Sequence, residues 1–355
     1  MRILFLMRQS NHYTNLFVPE LRKQLINMGH SVEIGSDLFW TPCMFDFDII
    51  HIHWPEFIFA TNNPSESNIE NLRLRLQEAK NAKIPIVVHC HNLKPHDVKN
   101  GIACKLYDVV YDSATAFIHM GQYSKKLLQS EYINAIHTVI PHHIYDISHH
   151  FCYDNYVCKR ELDLPENRIC ILCFGKFRND EERIFFLKCR ERFRDHKVIF
   201  VAPGFYRDKI ISRDLMKSIR NFFKFLKYKV QGIRFSSTII SENLMEKYFF
   251  AADIVLIQRK TILNSGNLPM AFACGKIVVG PNVGNVGEIL KATGNPLFEV
   301  DNIDSAKDAI LAGIGLLNEC LGARNKEYAR QNWSSSVVTR KLIDFYYILK
   351  DGDNK

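Results

Sequence analysis

The sequence alternates twice between short runs rich in Val, Ile and Phe and longer segments in which apolar residues recur every three or four positions. The short runs have the composition of β-strands, and the longer segments have helical periodicity. This alternation is typical of parallel sheets covered by helices. We therefore predict an α/β fold with two doubly wound, Rossmann-like domains that face each other across a cleft. The predicted strands are RILFLM, SVEI, DIIHIHW, IPIVVHC, AFIHM and HTVIP in the first half, and ICILCFG, HKVIFVAP, GIRFSS, DIVLIQ and KIVVGPN in the second.

The length of 355 residues also favours two domains, because it is long for a single hydrophobic core. A polar, irregular stretch from about His142 to Asn167 interrupts the pattern, as a connection between domains does. We predict a first domain over residues 1–160 and a second over residues 161–335. Residues 336–355 form a C-terminal helix and tail that could pack back on the first domain.

The composition, with 47% hydrophobic and 24% charged residues, is that of a globular protein. Its net charge of +8 favours an anionic partner, which could be a nucleotide sugar, a phospholipid surface or a nucleic acid. Cys170 and Cys173 lie inside an apolar run, so we predict buried, reduced thiols rather than a metal knuckle. Because no signal peptide and no window of ~18 apolar residues occurs, we expect a cytoplasmic protein.

Polar side chains follow two neighbouring strands of the predicted first sheet. Alternation along each strand places its histidines on one face of the sheet. Three interpretations are open: hydrogen-bonded strand ends, a zinc site, and a binding site in which an imidazole positions or deprotonates a hydroxyl. The zinc site is the least favoured, because carboxylate and thiolate partners at tight spacing are missing. The candidate residues are His51, His53, Trp54 and Glu56 after one strand, and His89, His91, Asn92 and His96 after the next.

A second set of candidates describes an anion site in the second domain. Lys176 and Arg178 follow its first predicted strand, and Arg259 follows a later one. The turn Asn264, Ser265, Gly266, Asn267 then opens a helix, where free backbone N–H groups and the helix dipole favour an anion. Each piece alone is commonplace, but their convergence predicts a diphosphate site, for which arginine forks are well suited.

Four segments, in this order along the chain, resemble GT-B-fold glycosyltransferases, and in particular the bacterial family-4-like (group 1) sugar transferases of polysaccharide assembly. They are DIIHIHWPE, VHCHNLKPH, FGKFRNDEE and LNSGNLPMAFACGKIVVGPNVGNVGE. The resemblance covers most of the chain as far as Glu288. It implies transfer of a sugar from a nucleoside diphosphate sugar, bound by the C-terminal domain, to a saccharide or polyprenyl-linked acceptor bound by the N-terminal domain.

The resemblance also implies roles for individual residues. His91 is expected near the transferred sugar, with Lys176 and Arg178 at the diphosphate. Backbone donors at Ser265, Gly266 and Asn267 contact the same phosphates. Glu288 accepts hydrogen bonds from ribose hydroxyls or caps the next helix.

The sequence departs from the family at two places that bear on mechanism. Better-known retaining relatives carry two glutamates eight positions apart, where this chain has Ile262 and Met270, and the phosphate turn has Glu181 in place of its usual lysine. Retaining and inverting chemistry therefore both stay open. An inverting enzyme would use His53, Glu56 or His91 as the base, whereas in a retaining one the leaving phosphate could take the proton. Without an Asp-x-Asp motif at a strand end, we expect metal-independent transfer in which basic groups stabilise the departing diphosphate.

Other functions are less favoured by the residues. A nucleotide-sugar epimerase would need carboxylates around the sugar, and a dehydrogenase would need a G-x-G-x-x-G after its first strand. The main alternative is a non-catalytic GT-B relative that binds nucleotide sugars or membranes, which the substitutions at residues 181, 262 and 270 make credible.

A basic segment from Arg213 to Lys229 is rich in aromatic residues. One interpretation is a surface helix that packs its aromatic stripe on the domain, and the other is peripheral contact with an anionic bilayer, at the inner face of the membrane. Nucleic acid is the weakest option, since no binding motif accompanies the charge. The basic positions are Arg213, Lys217, Arg220, Lys224, Lys227 and Lys229.

Overall fold

The computed structural model describes residues 1–8, 16–59, 64–95, 101–145, 154–194, 196–206, 215–230, 232–235 and 240–352. These residues form two compact units, each built around one parallel sheet. The first unit comprises Met1–Tyr145 and Gln331–Lys355, and the second comprises Asp146–Arg330. The predicted α/β class with two Rossmann-like sheets is confirmed. Among the described residues, no helix is both long and apolar enough to cross a bilayer.

The first unit contains a six-stranded sheet with the order β2-β1-β3-β4-β5-β6. Its strands β3 and β4 are buried on both faces, which explains why each consists of Ile and Val apart from one histidine. The elements are β1 (Arg2–Phe5), α1 (Phe17–Asn27), β2 (Ser31–Ile34), β3 (Ile49–Ile52), α2 (Glu66–Asn81), β4 (Ile86–His89), α3 (Gly101–Asp112), β5 (Ala116–His119), α4 (Gln122–Gln129) and β6 (Ile136–Val139). Three short 3₁₀ helices lie at Leu38–Trp40, Pro42–Asp46 and Pro55–Phe57.

The second unit contains a five-stranded parallel sheet. Its elements are α5 (Asn155–Glu161), β7 (Ile169–Leu172), α6 (Asp180–Arg192), β8 (Val198–Val201), α7 (Leu215–Val230), α8 (Glu242–Ala251), β9 (Ile254–Leu256), α9 (Asn267–Ala273), β10 (Ile277–Pro281), α10 (Gly284–Ala292), β11 (Leu297–Phe298), α11 (Ile303–Gly315), a 3₁₀ helix (Leu316–Glu319) and most of α12 (Leu321–Trp333). The helix α13 (Ser335–Gly352) that follows belongs to the first unit. The sheet order is β11-β10-β9-β7-β8.

Two details of the second sheet differ from prediction. The segment GIRFSS was predicted as a strand, but in its described part Arg234 forms only an isolated bridge to Val201. The short edge strand β11 was not predicted, because two residues carry too little periodicity to be recognised. Cys170 and Cys173 are buried in and just after β7, as predicted.

The C-terminal helix α13 packs in the core of the first unit. Its Leu342 and Phe345 lie in one hydrophobic cluster with Phe5 of β1 and with Leu21 and Leu25 of α1. Helix α13 thereby covers an apolar face of α1 that would otherwise be exposed to water. The chain therefore leaves the first unit after β6 and returns to it only at its last helix.

Helix α5 belongs to the second unit, whereas the sequence predicts a first domain that extends to residue 160. Hydrogen bonds of α5 to the second sheet explain the difference. Lys159 is buried and donates from Nζ to Asp253 Oδ2 at 2.9 Å and to the Arg168 carbonyl at 3.0 Å. The same Asp253 oxygen accepts from the Cys170 backbone N–H at 2.7 Å, and Asn155 donates to Asp253 Oδ1. These bonds fix α5 against β7 and the start of β9.

Replacing Lys159 by Met should destabilise the second unit by about 3 kcal/mol, because the Asp253 carboxylate then loses its cation in a poorly hydrated site. Urea unfolding measures the change. Lys247→Met is the matched control: Lys247 also joins α8 to α5, through Glu161 at 2.7 Å, but on a more exposed surface. Its loss should cost less than about 1 kcal/mol. Equal effects of the two substitutions would contradict a structural role for the buried pair.

Candidate functional sites

The carboxyl ends of β3 and β4 bring four histidines together in the first unit. His51 lies on β3 and His53 just after it, and their rings stack with centroids 4.2 Å apart. His89 ends β4, and its ring stacks on His91 at 4.7 Å. The two pairs are adjacent, since the His51 and His89 rings lie 5.4 Å apart and nearly parallel. The predicted placement of each pair on one face is confirmed.

The polar contacts of these rings distinguish their positions. His53 Nδ1 and His91 Nε2 are 3.2 Å apart and share a hydrogen bond. His51 Nδ1 bonds to the Tyr346 hydroxyl at 2.5 Å. His89 is 3% exposed, and neither of its ring nitrogens has a partner in the part of the chain that the structure describes. Only His91 among the four is more than marginally exposed to solvent.

Sequence reasoning missed three contributors to this group. Phe17, at the start of α1, makes edge contacts with His53, His89 and His91. It stacks on His143 at 4.7 Å, and His143 Nε2 bonds to the Phe17 carbonyl at 3.0 Å. His142 also contacts Phe17, and His142 with His143 follows β6. The histidine cluster consists of His51, His53, His89, His91, His142 and His143.

The histidine cluster is held in its neutral form. Burial lowers the pKa of His51, His53, His89 and His91 well below the ordinary value of 6.5, and repulsion by neighbouring imidazoles lowers it further. Burial also lowers the pKa of His142, to about 3. Each ring therefore offers one N–H donor and one lone pair at neutral pH, and can hydrogen-bond a hydroxyl without carrying charge.

The remaining candidates of the first unit lie around this cluster. Trp54 stacks on His91 with ring centroids 4.1 Å apart, which makes a flat apolar wall beside that imidazole. Glu56 instead accepts a hydrogen bond from the Tyr107 hydroxyl at 2.6 Å. The Asn92 carbonyl accepts from the Tyr111 hydroxyl at 2.8 Å. His96 lies outside the described residues.

Nitrogen atoms of His51, His53 and His89 all lie within 4.8 Å of one another, which is the kind of group that can hold a metal ion. The group contains imidazoles alone, so a bound dication would be buried among neutral rings with no carboxylate from this group to balance it. The Tyr346 and His91 hydrogen bonds use only the Nδ1 atoms of His51 and His53, and the Nε2 atom of each is buried without a partner among the described residues.

In the second unit, the turn after β7 meets the start of α9. Asn267 donates from Nδ2 to the Phe174 carbonyl at 2.9 Å, and Arg259 donates to the Lys176 carbonyl at 3.3 Å. Gly175, between the two carbonyls, has a φ of +96°, a conformation that disfavours any side chain. Arg259 and Asn267 thus hold the basic turn, residues 174–178, through two of its backbone carbonyls.

A buried glutamate orders the cations of the basic turn. Glu182, on α6, accepts from the Arg178 backbone N–H at 3.0 Å and lies 3.6 Å from Arg259 Nε. Asn179 caps the same helix by accepting from the Glu182 N–H at 2.9 Å. Burial lowers the pKa of Arg259, and the Arg178 charge lowers it further. The Glu182 carboxylate thus contacts one guanidinium, that of Arg259, and one backbone N–H, that of Arg178. It balances the Arg259 charge and leaves the Lys176 and Arg178 side chains to give the turn its cationic character.

The basic turn also depends on Gly204, which follows β8. A Cβ atom at residue 204 would lie 2.0 Å from the Gly175 carbonyl oxygen, so Gly204→Ala must displace the turn. We expect a loss of about 2 kcal/mol in unfolding free energy. Gly315→Ala is the control, because open space surrounds that Cβ position and alanine favours helix α11. Similar stabilities of the two variants in urea would show that the turn adapts.

The loop before α9 is fixed by α10. Asn285 is buried and donates from Nδ2 to Asn264 Oδ1 at 2.8 Å, while its N–H bonds to the Leu263 carbonyl. The Ser265 carbonyl accepts from the Leu268 N–H at 3.2 Å, and Gly266 is the residue before the helix. Glu288 lies one turn into α10 and is half-buried.

The two departures from the family pattern have structural counterparts. Met270 lies on α9, and its side chain is buried in the protein interior. Glu181 lies 3.6 Å from Lys260 Nζ, which also pairs with Asp301. A cation therefore stands beside the position at which the resemblance expects a lysine, but it comes from the end of another strand, β9.

No protein-family model matches the sequence, and a comparison with curated proteins finds no match. Solved structures do match along almost the whole chain. Sucrose-phosphate synthase from Thermosynechococcus elongatus superposes with a TM-score of 0.67 at 13% identity and covers 99% of each chain. HepE from Anabaena, in complex with UDP, superposes with a TM-score of 0.69 at 13% identity, over 97% of this chain and 99% of its own. The chain has the GT-B fold.

A glycosyltransferase from Rickettsia africae, at 15% identity and a TM-score of 0.66, covers 98% of each chain and has the same GT-B fold. Within this fold, the histidine cluster lies at carboxyl strand ends of the first sheet and the basic turn lies at a carboxyl strand end of the second. Carboxyl strand ends are where open α/β sheets bind their ligands. Both candidate sites therefore occupy the functional edge of their own sheet.

Proposed function

We propose that the protein is a glycosyltransferase that moves a sugar from a nucleoside diphosphate sugar to a saccharide or lipid-linked oligosaccharide in surface polysaccharide biosynthesis. The basic turn is the observation that carries the proposal: two cations on a glycine turn at the end of β7, joined by hydrogen bonds to Arg259 and to the start of α9. Structures with the same fold include HepE in complex with UDP-glucose and a trehalose-6-phosphate protein from E. coli with UDP-2-fluoro glucose.

In the proposed mechanism, negative charge develops on the departing diphosphate. Lys176, Arg178 and Arg259 lower its free energy, because they are positioned before the bond to the sugar breaks. Backbone donors of the loop from Asn264 to Asn267 contribute to the same task, and Glu288 contacts the ribose. We propose that these groups act without a metal ion, and the buried Glu182 keeps the two arginines in place.

The histidine cluster serves the acceptor in this proposal. Among the four histidines at the ends of β3 and β4, His91 is the half-buried one, so it contacts the reacting hydroxyl or the transferred sugar, with Trp54 as the stacking wall. His53 fixes the orientation of His91 through their shared hydrogen bond. His51 is fully buried and bonded to Tyr346, so it supports the neighbouring rings and does not touch the acceptor. Asn92, His96 and Glu56 complete the acceptor side, in a protein that acts in the cytoplasm at the inner face of the membrane.

Calorimetric and thermal-shift titrations with UDP, GDP, CDP and their sugar conjugates test the proposal. One diphosphate should raise the melting temperature and bind preferentially, because a ligand that binds only the folded state stabilises it. Gly204→Ala, which displaces the basic turn, should weaken that binding, while Gly315→Ala should not. Absence of binding by every nucleotide in a folded sample would overturn the donor site.

A non-catalytic GT-B relative is the second candidate, because the family's paired glutamates are replaced by Ile262 and Met270 and its lysine by Glu181. Such a protein would bind the nucleotide sugar and leave it intact. Hydrolysis of the bound donor, measured as free sugar released over hours, separates the two candidates: a transferase should hydrolyse the donor slowly, and a binding protein should not. Binding without any hydrolysis or transfer would favour the binding protein.

A further inference from the structure

Helix α7 carries an apolar stripe that points away from the domain. Seven of its apolar side chains are exposed, among them Phe222 at 46%, Phe223 at 65% and Val230 at 88%. Six of the seven, all except Met216, form the stripe. At 3.6 residues per turn, the six fall within about 100° of the helix circumference. The stripe consists of Leu215, Ile219, Phe222, Phe223, Leu226 and Val230.

A different face of α7 attaches the helix to its domain. Phe225 and Tyr228 pack against the hydrophobic core of the second unit, and Asn221 is buried, with its carbonyl accepting from the Tyr206 hydroxyl at 2.9 Å. The aromatic residues of the segment thus divide between two faces. The core claims Phe225 and Tyr228, whereas Phe222 and Phe223 face solvent. Packing on the domain therefore does not explain the stripe, and an exposed apolar surface of this kind marks an interaction site.

The charges of α7 identify the partner. Exposed Arg220 and Lys227, with half-buried Lys224, border one edge of the stripe, and Lys229 borders the other. Helix α7, 16 residues long, contains no acidic residue. The row of Arg220, Lys224 and Lys227 lies along one edge, whereas the Lys229 ammonium lies over the Phe225 and Phe235 rings. Phe side chains beside such a basic row suit the boundary between acyl chains and anionic headgroups, where apolar side chains enter the bilayer and basic ones stay among the phosphates. Arg213, at the start of the basic segment, lies outside the described residues.

We propose that α7 lies flat on an anionic phospholipid bilayer and inserts this apolar stripe between the headgroups. The helix is about 24 Å long, so it covers several lipids and spans nothing. Through this surface a transferase would reach a lipid-linked acceptor in the membrane. Only this role in transfer rests on the proposed function, since lipid binding by α7 does not require a sugar donor.

Vesicle co-sedimentation of the full chain tests the inference. Vesicles of phosphatidylglycerol mixed with phosphatidylcholine should pull down the protein, and vesicles of phosphatidylcholine alone should retain far less. In the double variant Phe222→Ser, Phe223→Ser, the partition coefficient onto the anionic vesicles should fall by at least roughly tenfold, because the apolar area that enters the bilayer is lost. Leu74→Ser is the matched control, since Leu74 on α2 is 57% exposed but lies on no such stripe.

Charge is tested by a second pair of variants. Lys224→Gln with Lys227→Gln should reduce binding to the anionic vesicles by roughly fivefold per charge. Lys80→Gln with Lys126→Gln removes two exposed lysines of the first unit and should leave binding unchanged. Salt should weaken the wild-type interaction in the same way as the charge variants.

Three results would overturn the inference: no binding of the wild type to anionic vesicles, equal binding of the phenylalanine variant, or a dimer in sedimentation velocity that the phenylalanine variant abolishes. The last would assign the stripe to a second copy of the chain. Nucleotide titration of the phenylalanine variant, without vesicles, should match the wild type. If the wild type did not bind any nucleotide, the proposed function would be wrong, but the vesicle result would be unaffected.

Discussion

Lowering the pH from about 7.5 to about 5.5 is expected to remove on the order of 5 kcal/mol from the stability of the first unit. The six members of the histidine cluster all have a pKa lowered by burial in the folded state. In the unfolded chain they titrate near 6.5, so below that pH the unfolded state binds more protons. Protons therefore favour unfolding, and stability rises with pH until the unfolded histidines are neutral as well.

Urea unfolding at a series of pH values measures this effect. His89→Leu is the informative variant, because neither ring nitrogen of His89 has a described partner and leucine has nearly the same volume. It should reduce the loss of stability between pH 7.5 and pH 5.5 by ~1.4 kcal/mol, because unfolding then takes up about one proton fewer, without destabilising the protein at neutral pH. His196→Gln, at an exposed position of the second unit, should leave the dependence as it is. A wild type equally stable across this range would mean that the folded cluster takes up protons freely.

Separate losses of turnover and of binding are expected when the two candidate sites are altered one at a time. His91→Ala should lower kcat about a hundredfold or more, because one imidazole that positions or accepts a proton contributes that much. Nucleotide affinity should stay within roughly twofold of the wild type, since His91 lies in the first unit and the basic turn in the second. Transfer assays and calorimetry on the same preparations supply the two values.

Arg178→Ala should do the opposite and weaken nucleotide diphosphate binding by at least roughly tenfold, through loss of charged hydrogen bonds. Lys188→Ala is its control, because Lys188 is an exposed cation on α6, the helix that follows the basic turn. The control should bind as the wild type does. If His91→Ala and Arg178→Ala weakened nucleotide binding equally, the division of labour between the two sites would be wrong.

The fold could be predicted because the central strands are buried and therefore consist mainly of Ile, Val, Leu and Cys. Strands β3, β4 and β7 are such cases, and the polar residues that follow them mark the functional edge of each sheet. His142 and His143 follow β6 in the same way, so the same rule could have identified them. They were instead assigned to the connection between domains, because the polar stretch continues for many residues beyond them.

Other features had no local signal. The bond between His51 and Tyr346 joins residues 295 positions apart, and neither residue's neighbours indicate the other. Periodicity located the amphipathic pattern of α7 but not its orientation, because spacing alone does not say which face the domain covers. That Phe225 is packed while Phe223 is exposed follows only from the position of the core.

The return of α13 to the first unit makes the second unit an insertion within it, and this orders events on the ribosome. The second unit, Asp146–Arg330, can close its own core while the C-terminus is still being synthesised. The first unit cannot, since Leu342, Phe345, Tyr346 and Leu349 of its core are synthesised only after the second unit. A nascent chain therefore waits with the apolar face of α1 uncovered for the whole translation of the second unit. During that interval we expect the chain to depend on chaperones, and a stop codon between residue 330 and Leu342 would make the dependence permanent.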